Sequence, residues 1–112
     1  MTTGSQNANI QEALRVISRK RLLELVSKHP DAGDALDNWY RRTKKATWKN
    51  LAEVRADYTH ADVVGICTVF NIKGNKYRLI SKIFYKDRIV LIRFVLTHGQ
   101  YDKEGWKDDC GC

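Results

Sequence analysis

The stretch Val69–Asp102, VFNIKGNKYRLISKIFYKDRIVLIRFVLTHGQYD, decides the fold of this chain. It contains three runs rich in β-branched and aromatic residues, separated by short segments of turn-forming residues. This pattern is typical of two consecutive β-hairpins. Glycine permits a two-residue turn at Gly74–Asn75, and a second turn is expected at Lys86–Asp87.

These two turns determine which residues face each other across the strands. The first turn pairs Asn71 with Arg78, and the second pairs Ser81 with Ile92 and Ile80 with Arg93. Because side chains alternate between the two faces of a strand, one face is expected to be a continuous apolar layer. Its members are Phe70, Ile72, Tyr77, Leu79, Ile83, Val90, Ile92, Phe94 and Leu96.

The opposite face is expected to gather the polar and cationic residues of the sheet. It carries Asn71, Arg78, Lys82 and Arg93 among the apolar residues Val69, Ile80, Leu91 and Val95. In this register Arg78 and Arg93 are diagonal neighbours on adjacent strands. A one-residue slip in either hairpin would scramble the separation of charged from apolar residues, so the separation supports both turns. The alternative is an ordinary solvated face of an antiparallel sheet.

The residues before the hairpins predict mainly helix. Residues 19–28 carry an apolar stripe at helical spacing, with Ser18 as the expected N-cap. A second helix is expected to start at Asp31 or Asp34, and the short connection favours an antiparallel helical hairpin.

Three shorter segments complete the predicted elements. Asn50 and Glu53 have the form of a capping box for a third helix. Leu14–Ile17 fits either an edge strand or the first turn of a helix, and residues 59–65 are expected to be a connecting loop.

Length and charge limit the class of protein. A chain of 112 residues fits one domain, expected to span residues 14–112, after a polar and flexible extension at residues 1–13. No apolar run is long enough to cross a bilayer, and the N-terminus lacks the layout of a secretory signal, so the cytoplasm is the expected location. The net charge of +7 indicates a polyanionic partner such as RNA, DNA or an acidic protein surface.

The three cysteines carry little functional signal. Cys67 lies in an apolar strand and is expected to be a small buried hydrophobe. Cys110 and Cys112 end the chain as Cys-Gly-Cys, where free thiols or a terminal disulfide are expected. No paired Cys or His spacing of the kind that holds zinc is present, so no metal site is predicted.

The end of the last strand adds a titratable group to the cationic face. In Thr97–Asp102, THGQYD, His98 follows Arg93 closely, and Tyr101 can supply a hydroxyl. Histidine exchanges protons near neutral pH, and cations hold phosphate, so these residues predict an RNA-cutting site. In the alternative interpretation, Thr97 and His98 cap a short helix while Tyr101 and Trp106 only pack. A non-catalytic RNA- or DNA-binding module, or a surface that docks an acidic partner, also fits the charge.

About 90 residues from Leu14 onward resemble the HigB toxins of bacterial toxin–antitoxin pairs, a branch of the RelE-like superfamily. The resemblance is carried by RVISRKRL, HPDA, ALDNWYRRTKKATW, VFNIKGNKYRL and IRFVLTHGQYDK. It implies an α+β, RelE-like fold of order β-α-α-β-β-β. In that fold an antiparallel sheet of three C-terminal strands and a short N-terminal strand, Leu14–Ile17, packs on the helical hairpin, and a short helix ends the domain.

The resemblance also implies an activity and its partners. It implies a metal-free, cofactor-free endoribonuclease, an mRNA interferase, that cleaves mRNA on the ribosome through the ribose 2′-OH and thereby inhibits translation. A small helix-turn-helix antitoxin, HigA-like, would hold it inactive. The catalytic residues expected by this resemblance are Arg78, Arg93, His98 and Tyr101, with Lys82 as base or charge stabiliser in competition with Lys49 and Lys76. Residues expected to contact RNA are Lys49, Lys76, Asn71 and Lys73.

Overall fold

The computed structural model describes residues 13–111. The expected flexible extension, residues 1–13, therefore lies outside the described residues except for Ala13, and so does Cys112. In chain order the elements are β1 (Arg15–Ile17), α1 (Lys20–Lys28), a 3₁₀ turn (Pro30–Ala32), α2 (Gly33–Lys45), α3 (Leu51–Asp57), β2 (Asp62–Val64), β3 (Cys67–Ile72), β4 (Tyr77–Phe84), β5 (Ile89–Thr97), α4 (His98–Asp102) and a C-terminal 3₁₀ helix (Gly105–Cys110). Within this described range no helix is both long and apolar enough to cross a membrane.

The five strands form one mixed sheet in the order β1-β5-β4-β3-β2. β1 runs parallel to β5, and the other neighbours are antiparallel. The α+β class is confirmed, but the expected antiparallel sheet of four strands is wrong in two respects. β1 is parallel, and β2 forms within residues 59–65, where a loop was expected. Val64 pairs with Cys67 across Gly65–Ile66, and Gly65 has a φ of 60°, so a tight turn allows this short strand to pair.

The helix starts differ in detail from the sequence prediction. Ser18 does not cap α1: its φ is 68°, and the N-cap position belongs to Arg19, which makes no side-chain capping bond. Asn50 does cap α3, because its side chain accepts the Glu53 N–H. The Glu53 carboxylate reaches one residue beyond the expected capping box and accepts the Lys49 N–H.

The larger apolar cluster lies between the helices and one face of the sheet. Phe70 is its centre, with the ring of Tyr58 at 5.1 Å and the ring of Trp39 at 5.4 Å. Strand residues of this cluster include Leu79, Val90 and Ile92, and helix residues include Leu22, Leu25, Leu36 and Val54. The apolar stripes of α1, α2 and α3 thus cover the apolar layer of β3–β5.

The register of the first hairpin is confirmed, and that of the second is confirmed only in part. Ser81 pairs with Ile92 as expected, but Ile80 pairs with Phe94 because the register shifts between Ile80 and Ser81. The shift is a β-bulge that leaves Arg93 as the extra residue.

Beyond the bulge the side chains of β5 change faces. The sequence prediction was therefore wrong for three residues. Val95 packs against the larger cluster, whereas Phe94 and Leu96 pack on the opposite face.

A second, smaller apolar cluster lies on that opposite face. It contains Cys67, Val69 and Ile80 from the sheet and Trp106 and Cys110 from the C-terminal 3₁₀ helix. A disulfide joins Cys67 to Cys110, which corrects the expectation of a free buried thiol and a separate terminal pair. The face that was expected to be open and basic is therefore partly covered by the end of the chain. We call the segment Gly105–Cys110 the C-terminal strap.

Candidate functional site

Arg78 is the most deeply buried cation of the candidate site. It lies on β4 next to the β3–β4 turn and is 9% exposed. Its guanidinium donates to the Asn75 carbonyl at 2.8 Å and to the Asn75 side-chain oxygen at 2.7 Å. It also lies 5.2 Å from the centre of the Tyr101 ring. The turn and the ring thus fix a delocalised positive charge at one end of the sheet.

His98 and Tyr101 are positioned by α4, which begins directly after β5. Thr97 and Gln100 form a capping box at its start, with Gln100 N–H donating to the Thr97 hydroxyl at 3.2 Å and Thr97 N–H donating to the Gln100 side chain at 2.9 Å. The His98 N–H donates to the Lys76 carbonyl, which attaches the helix to the β3–β4 turn. The alternative interpretation, in which Thr97 and His98 cap a short helix, is confirmed in part. Thr97 caps the helix, but the helix starts at His98 rather than near Asp102.

The two side chains of α4 have different surroundings. The imidazole of His98 is 53% exposed and lies 3.5 Å from the Asp102 carboxylate. Tyr101 is half-buried, stacked on the Trp106 ring at 4.8 Å. Burial raises the pKa of Tyr101, although the charge of Arg78 acts in the opposite direction. Tyr101 is therefore a neutral hydroxyl donor at neutral pH, beside a guanidinium and one helical turn from an exposed imidazole. We call Arg78, His98 and Tyr101 the hairpin-end cluster.

Arg93 and Lys82 belong to a separate group centred on Asp109. The Arg93 guanidinium binds both Asp109 carboxylate oxygens, at 2.7 and 2.9 Å, and the Lys82 ammonium lies 3.5 Å from the same carboxylate. The hydrogen bonding between Arg93 and Asp109 raises the pKa of Arg93 and lowers the pKa of Asp109. We call these three residues the Asp109 cluster.

The prediction that Arg93 lies diagonally next to Arg78 is wrong. Arg78 faces Leu96 rather than Val95, because the bulge at Arg93 adds a residue to β5 between the two positions. Lys82 is four residues from Arg78 on the same strand, which is about 13 Å along the sheet. The expected catalytic residues therefore form two groups, and the second is neutralised in part by a carboxylate of the strap.

Two of the expected RNA-binding lysines are paired with an acid. The Lys76 and Lys73 ammonium groups lie 2.7 and 3.2 Å from the Asp31 carboxylate, which also accepts the Tyr77 hydroxyl at 2.7 Å. These hydrogen bonds, that of Lys76 foremost, hold the pKa of the Asp31 carboxyl well below its usual range, and the pKa of Lys76 is raised in return. The contacts attach the β3–β4 turn to the 3₁₀ turn before α2.

Asn71 lies beside an open surface groove of about 690 Å³. It pairs with Arg78 across the hairpin, and Asn75 and His60 line the same groove. The sequence analysis did not name Asn75 or His60 as candidate site residues. Recognising β2 would have indicated His60, because continuing the Asp62–Val69 pairing by two residues places it opposite Asn71.

Lys49, the remaining lysine that was expected to contact RNA, belongs to neither the hairpin-end cluster nor the Asp109 cluster. It is exposed in the segment between α2 and α3, and its backbone N–H donates to the Glu53 carboxylate. In the part of the chain that the structure describes, no three His, Cys, Asp or Glu side chains are grouped so that they could hold a metal ion.

Asp109 was missed entirely by the sequence analysis. Its only sequence signal is an acidic residue next to Cys110 in a tail that no helical or strand pattern covers. The ion pair with Arg93 is a tertiary contact, so residue spacing does not indicate it.

Comparison with known proteins identifies the family of the chain. Residues 32–104, well over half of the chain, match the family HigB_toxin, the RelE-like toxic component of a toxin-antitoxin system. The mRNA interferase toxin HigB of Escherichia coli strain K12 is 26% identical over 92 residues, which cover 80% of this chain and 88% of that protein. The mRNA interferase HigB of Escherichia coli O6:H1 is 25% identical over 93 residues, covering 80% and 90% of the two chains. The chain therefore belongs to the HigB family of RelE-like toxins from toxin–antitoxin systems.

Proposed function

We propose that this chain is an mRNA interferase, a metal-free endoribonuclease that cleaves mRNA on the ribosome and so inhibits translation. Membership of the toxin family and the similarity to mRNA interferases of Escherichia coli support an endoribonuclease. The observation that carries the proposal is the hairpin-end cluster. In it the Arg78 guanidinium is bonded to Asn75, the Tyr101 ring lies against that guanidinium, and the His98 backbone N–H is bonded to Lys76 of the same turn.

The proposed reaction is attack of a ribose 2′-OH on the adjacent phosphate. It requires removal of the 2′ proton, stabilisation of the charge that develops on the phosphorane oxygens, and protonation of the departing 5′ oxygen. A fixed donor aimed at developing charge commonly contributes about 3 kcal/mol. Arg78 fits this role because the two bonds to Asn75 leave its position defined before substrate binds.

Proton transfer is assigned to the residues of α4. His98 is exposed at the start of the helix and can donate a proton to the 5′ oxygen, a step that typically contributes about 10²–10⁴-fold in rate. Tyr101 donates a hydrogen bond from its neutral hydroxyl to the same phosphate.

The lysines are assigned by their partners. Asp31 raises the pKa of Lys76, so Lys76 stays protonated at neutral pH and acts as a cation rather than a base. Lys73, which shares Asp31, and Asn71 beside the groove are proposed to contact the RNA backbone. Lys82 or Lys49 is proposed as the base or as a charge stabiliser, and whichever acts as the base must be the neutral amine before it can accept the 2′ proton. Lys82 and Arg93 can contact a phosphate only when Asp109 moves away from them.

The proposed regulator is a small helix-turn-helix antitoxin of the HigA type, acting in the cytoplasm. The family implies a toxin–antitoxin pair. A net charge of +7 favours a partner with an acidic surface, which would compete with RNA for the same cations.

The test is cleavage of a defined mRNA by the full-length chain, with and without programmed ribosomes. The expected result is cleavage in the ribosomal complex only, with a new 2′,3′-cyclic phosphate end, because only attack by the neighbouring 2′-OH forms that end. RNA that is bound but never cut would instead identify a non-catalytic RNA-binding module. A product with a 3′-hydroxyl end would rule out the proposed mechanism.

A further inference from the structure

Asp109 binds Arg93 and Lys82 as a phosphate would. Its two carboxylate oxygens lie 2.7 and 2.9 Å from two nitrogens of the same guanidinium, and the second cation lies 3.5 Å away. Two-point binding to a guanidinium is shared by carboxylates and phosphates. The three side chains are 20–28% exposed, so an anion from solvent can reach this place if the carboxylate leaves.

The strap that carries Asp109 also contacts the hairpin-end cluster. Trp106 is buried and stacks on Tyr101, and Tyr101 in turn lies over Arg78. Trp106 also donates to the Tyr101 carbonyl at 2.8 Å. One short segment therefore lies against both groups of candidate residues.

A covalent bond holds the strap in this position. Cys110 follows Asp109 directly, is fully buried and is joined to Cys67 on β3 by the disulfide. The Ile66 N–H donates to the Cys110 carbonyl at 2.9 Å. The part of the chain that matches the toxin family ends at residue 104, so the whole strap lies beyond the matched region.

We propose that the strap is an autoinhibitory element with a redox latch. In the closed state Asp109 takes the place of an RNA phosphate on Arg93 and Lys82, and the Cys67–Cys110 disulfide keeps it there. In the open state the strap detaches and those two cations join Arg78 in binding the RNA backbone. The inference rests on the proposed function in one respect only: RNA is the polyanion that competes with Asp109.

The latch opens by thiol–disulfide exchange with a dithiol. The dithiol thiolate attacks one sulfur of the Cys67–Cys110 bond and releases the other cysteine, and the second thiol of the reagent then closes its own disulfide. The protein gains two electrons and two protons and becomes a pair of thiols, and the dithiol is oxidised. In a reducing cytosol this places the toxin in the open state, whereas oxidising conditions close it.

The experiment measures binding of the full-length chain to a fluorescent 2′-O-methyl RNA, which cannot be cut by the 2′-OH reaction. Asp109→Asn is compared with Asp108→Asn, which makes the same change of charge at an exposed neighbour. We expect Asp109→Asn to bind about fivefold more tightly than Asp108→Asn, the upper end of what one solvent-accessible ion pair contributes. Addition of dithiothreitol should strengthen binding by the oxidised wild type.

A second comparison isolates the latch. Cys67→Ala combined with Cys112→Ser leaves a single cysteine, because the chain has three. This variant should bind RNA like the reduced wild type and should not respond to dithiothreitol. Hydrogen exchange at Ile66 reports opening of the strap without RNA, since its N–H is bonded to Cys110. Exchange at Ile66 should accelerate on reduction, while exchange at His98, bonded to Lys76, should not change.

The inference is overturned if Asp109→Asn and Asp108→Asn bind RNA equally and reduction changes neither binding nor exchange at Ile66. Failure of the proposed function is a different result. In that case binding responds to the strap as described, but a natural mRNA is not cleaved on the ribosome by the reduced protein.

Discussion

At the scale of single residues, the position of Arg78 follows from the turn that precedes it. Asn75 offers both its carbonyl and its side-chain oxygen to the guanidinium, and Tyr101 offers its ring. A planar group with several donors is needed to use these partners together, and lysine has only one nitrogen to offer. The geometry of the charge therefore depends on arginine specifically.

We expect Arg78→Ala to reduce mRNA cleavage by about 10²–10³-fold, because the charge aimed at the phosphorane is removed. Arg78→Lys should restore only part of the rate, since the charge remains but the paired bonds to Asn75 do not. Single-turnover cleavage on programmed ribosomes is the measurement. Lys86→Ala, which removes one exposed charge at the far end of β4, is the control and should cleave normally. Equal loss in both variants would show that only net charge matters.

Substitution of His98 should change the cleavage rate without changing the stability of the fold. Its side chain is 53% exposed and its backbone N–H bond to Lys76 is independent of the imidazole. We expect His98→Ala to lower the cleavage rate by about 10²–10⁴-fold while the thermal unfolding midpoint stays within a degree or two of wild type. A fully toxic His98→Ala variant in growing cells would remove His98 from the proposed mechanism.

At the scale of elements, α4 links the catalytic proposal to a capping box. The helix has five residues, too few to be stable alone, so Thr97 and Gln100 hold its first turn. Thr97→Ala should destabilise the protein by about 1 kcal/mol and lower cleavage by displacing His98. Thr97→Ser keeps the hydroxyl that accepts the Gln100 N–H and should restore both values. Urea unfolding and cleavage, measured on the same samples, check the two effects together.

The contact between the β3–β4 turn and the 3₁₀ turn before α2 should depend on pH. The pKa of Asp31 is lowered in the folded protein, so its contribution is present above its unfolded pKa, about 4, and is lost as the pH falls below it. The pKa of Lys76 is raised, so its contribution is lost only as the pH rises through the raised value. Both contributions are therefore complete at neutral pH.

Asp31→Asn tests this dependence. Its thermal midpoint should lie below that of wild type at pH 7, and the difference should shrink as the pH is lowered from 5 toward 2. Asp34→Asn, an exposed acid in the first turn of α2, is the matched control and should show a smaller difference with weaker pH dependence. A constant gap between Asp31→Asn and wild type across the acid range would contradict the ion-pair explanation.

The two hairpins show which features the sequence encodes locally. Gly74 has a φ of 64°, and the turn it permits fixes the Asn71–Arg78 pairing, so this register was predicted correctly. The bulge at Arg93 was not predicted. It shifts only the part of β5 beyond Arg93, where residues 94–96 are apolar on both faces, so the register near the turn and the alternation of residues 89–92 give no sign of it. β2 was missed because only three residues form it.

In the candidate site, too, contacts between residues close in sequence were predictable, and contacts between distant residues were not. His98 and Tyr101 are in one short motif after β5, so their proximity follows from sequence alone. The contacts of Arg93 with Asp109 and of Lys76 with Asp31 span 16 and 45 residues, and only the folded chain brings them together. Sequence spacing therefore predicted which side chains are cationic at the sheet but not which acids neutralise them.

At the scale of the whole molecule, the sheet is covered on both faces, but by very different amounts of chain. Helices α1–α3 cover one face with the larger cluster, while the short strap covers the other with Trp106 and Cys110. The larger cluster alone contains the most deeply buried aromatic residues, Trp39, Phe70 and Tyr77. The domain should therefore fold without the disulfide, and the strap should be its least stable part.

Removal of the crosslink tests this difference between the faces. Because the bond closes a loop between residues 43 apart, Cys67→Ala with Cys110→Ala should lower the free energy of unfolding by about 2–4 kcal/mol. The unfolding midpoint in urea gives the value, and Cys112→Ser, which leaves the crosslink intact, should match the oxidised wild type. In the double variant, Trp106 should become exposed at a lower urea concentration than the one that melts the helices and strands, so fluorescence should change before far-ultraviolet circular dichroism. Coincident transitions in the double variant would mean that the strap and the main core unfold as one unit, held together by packing rather than by the crosslink.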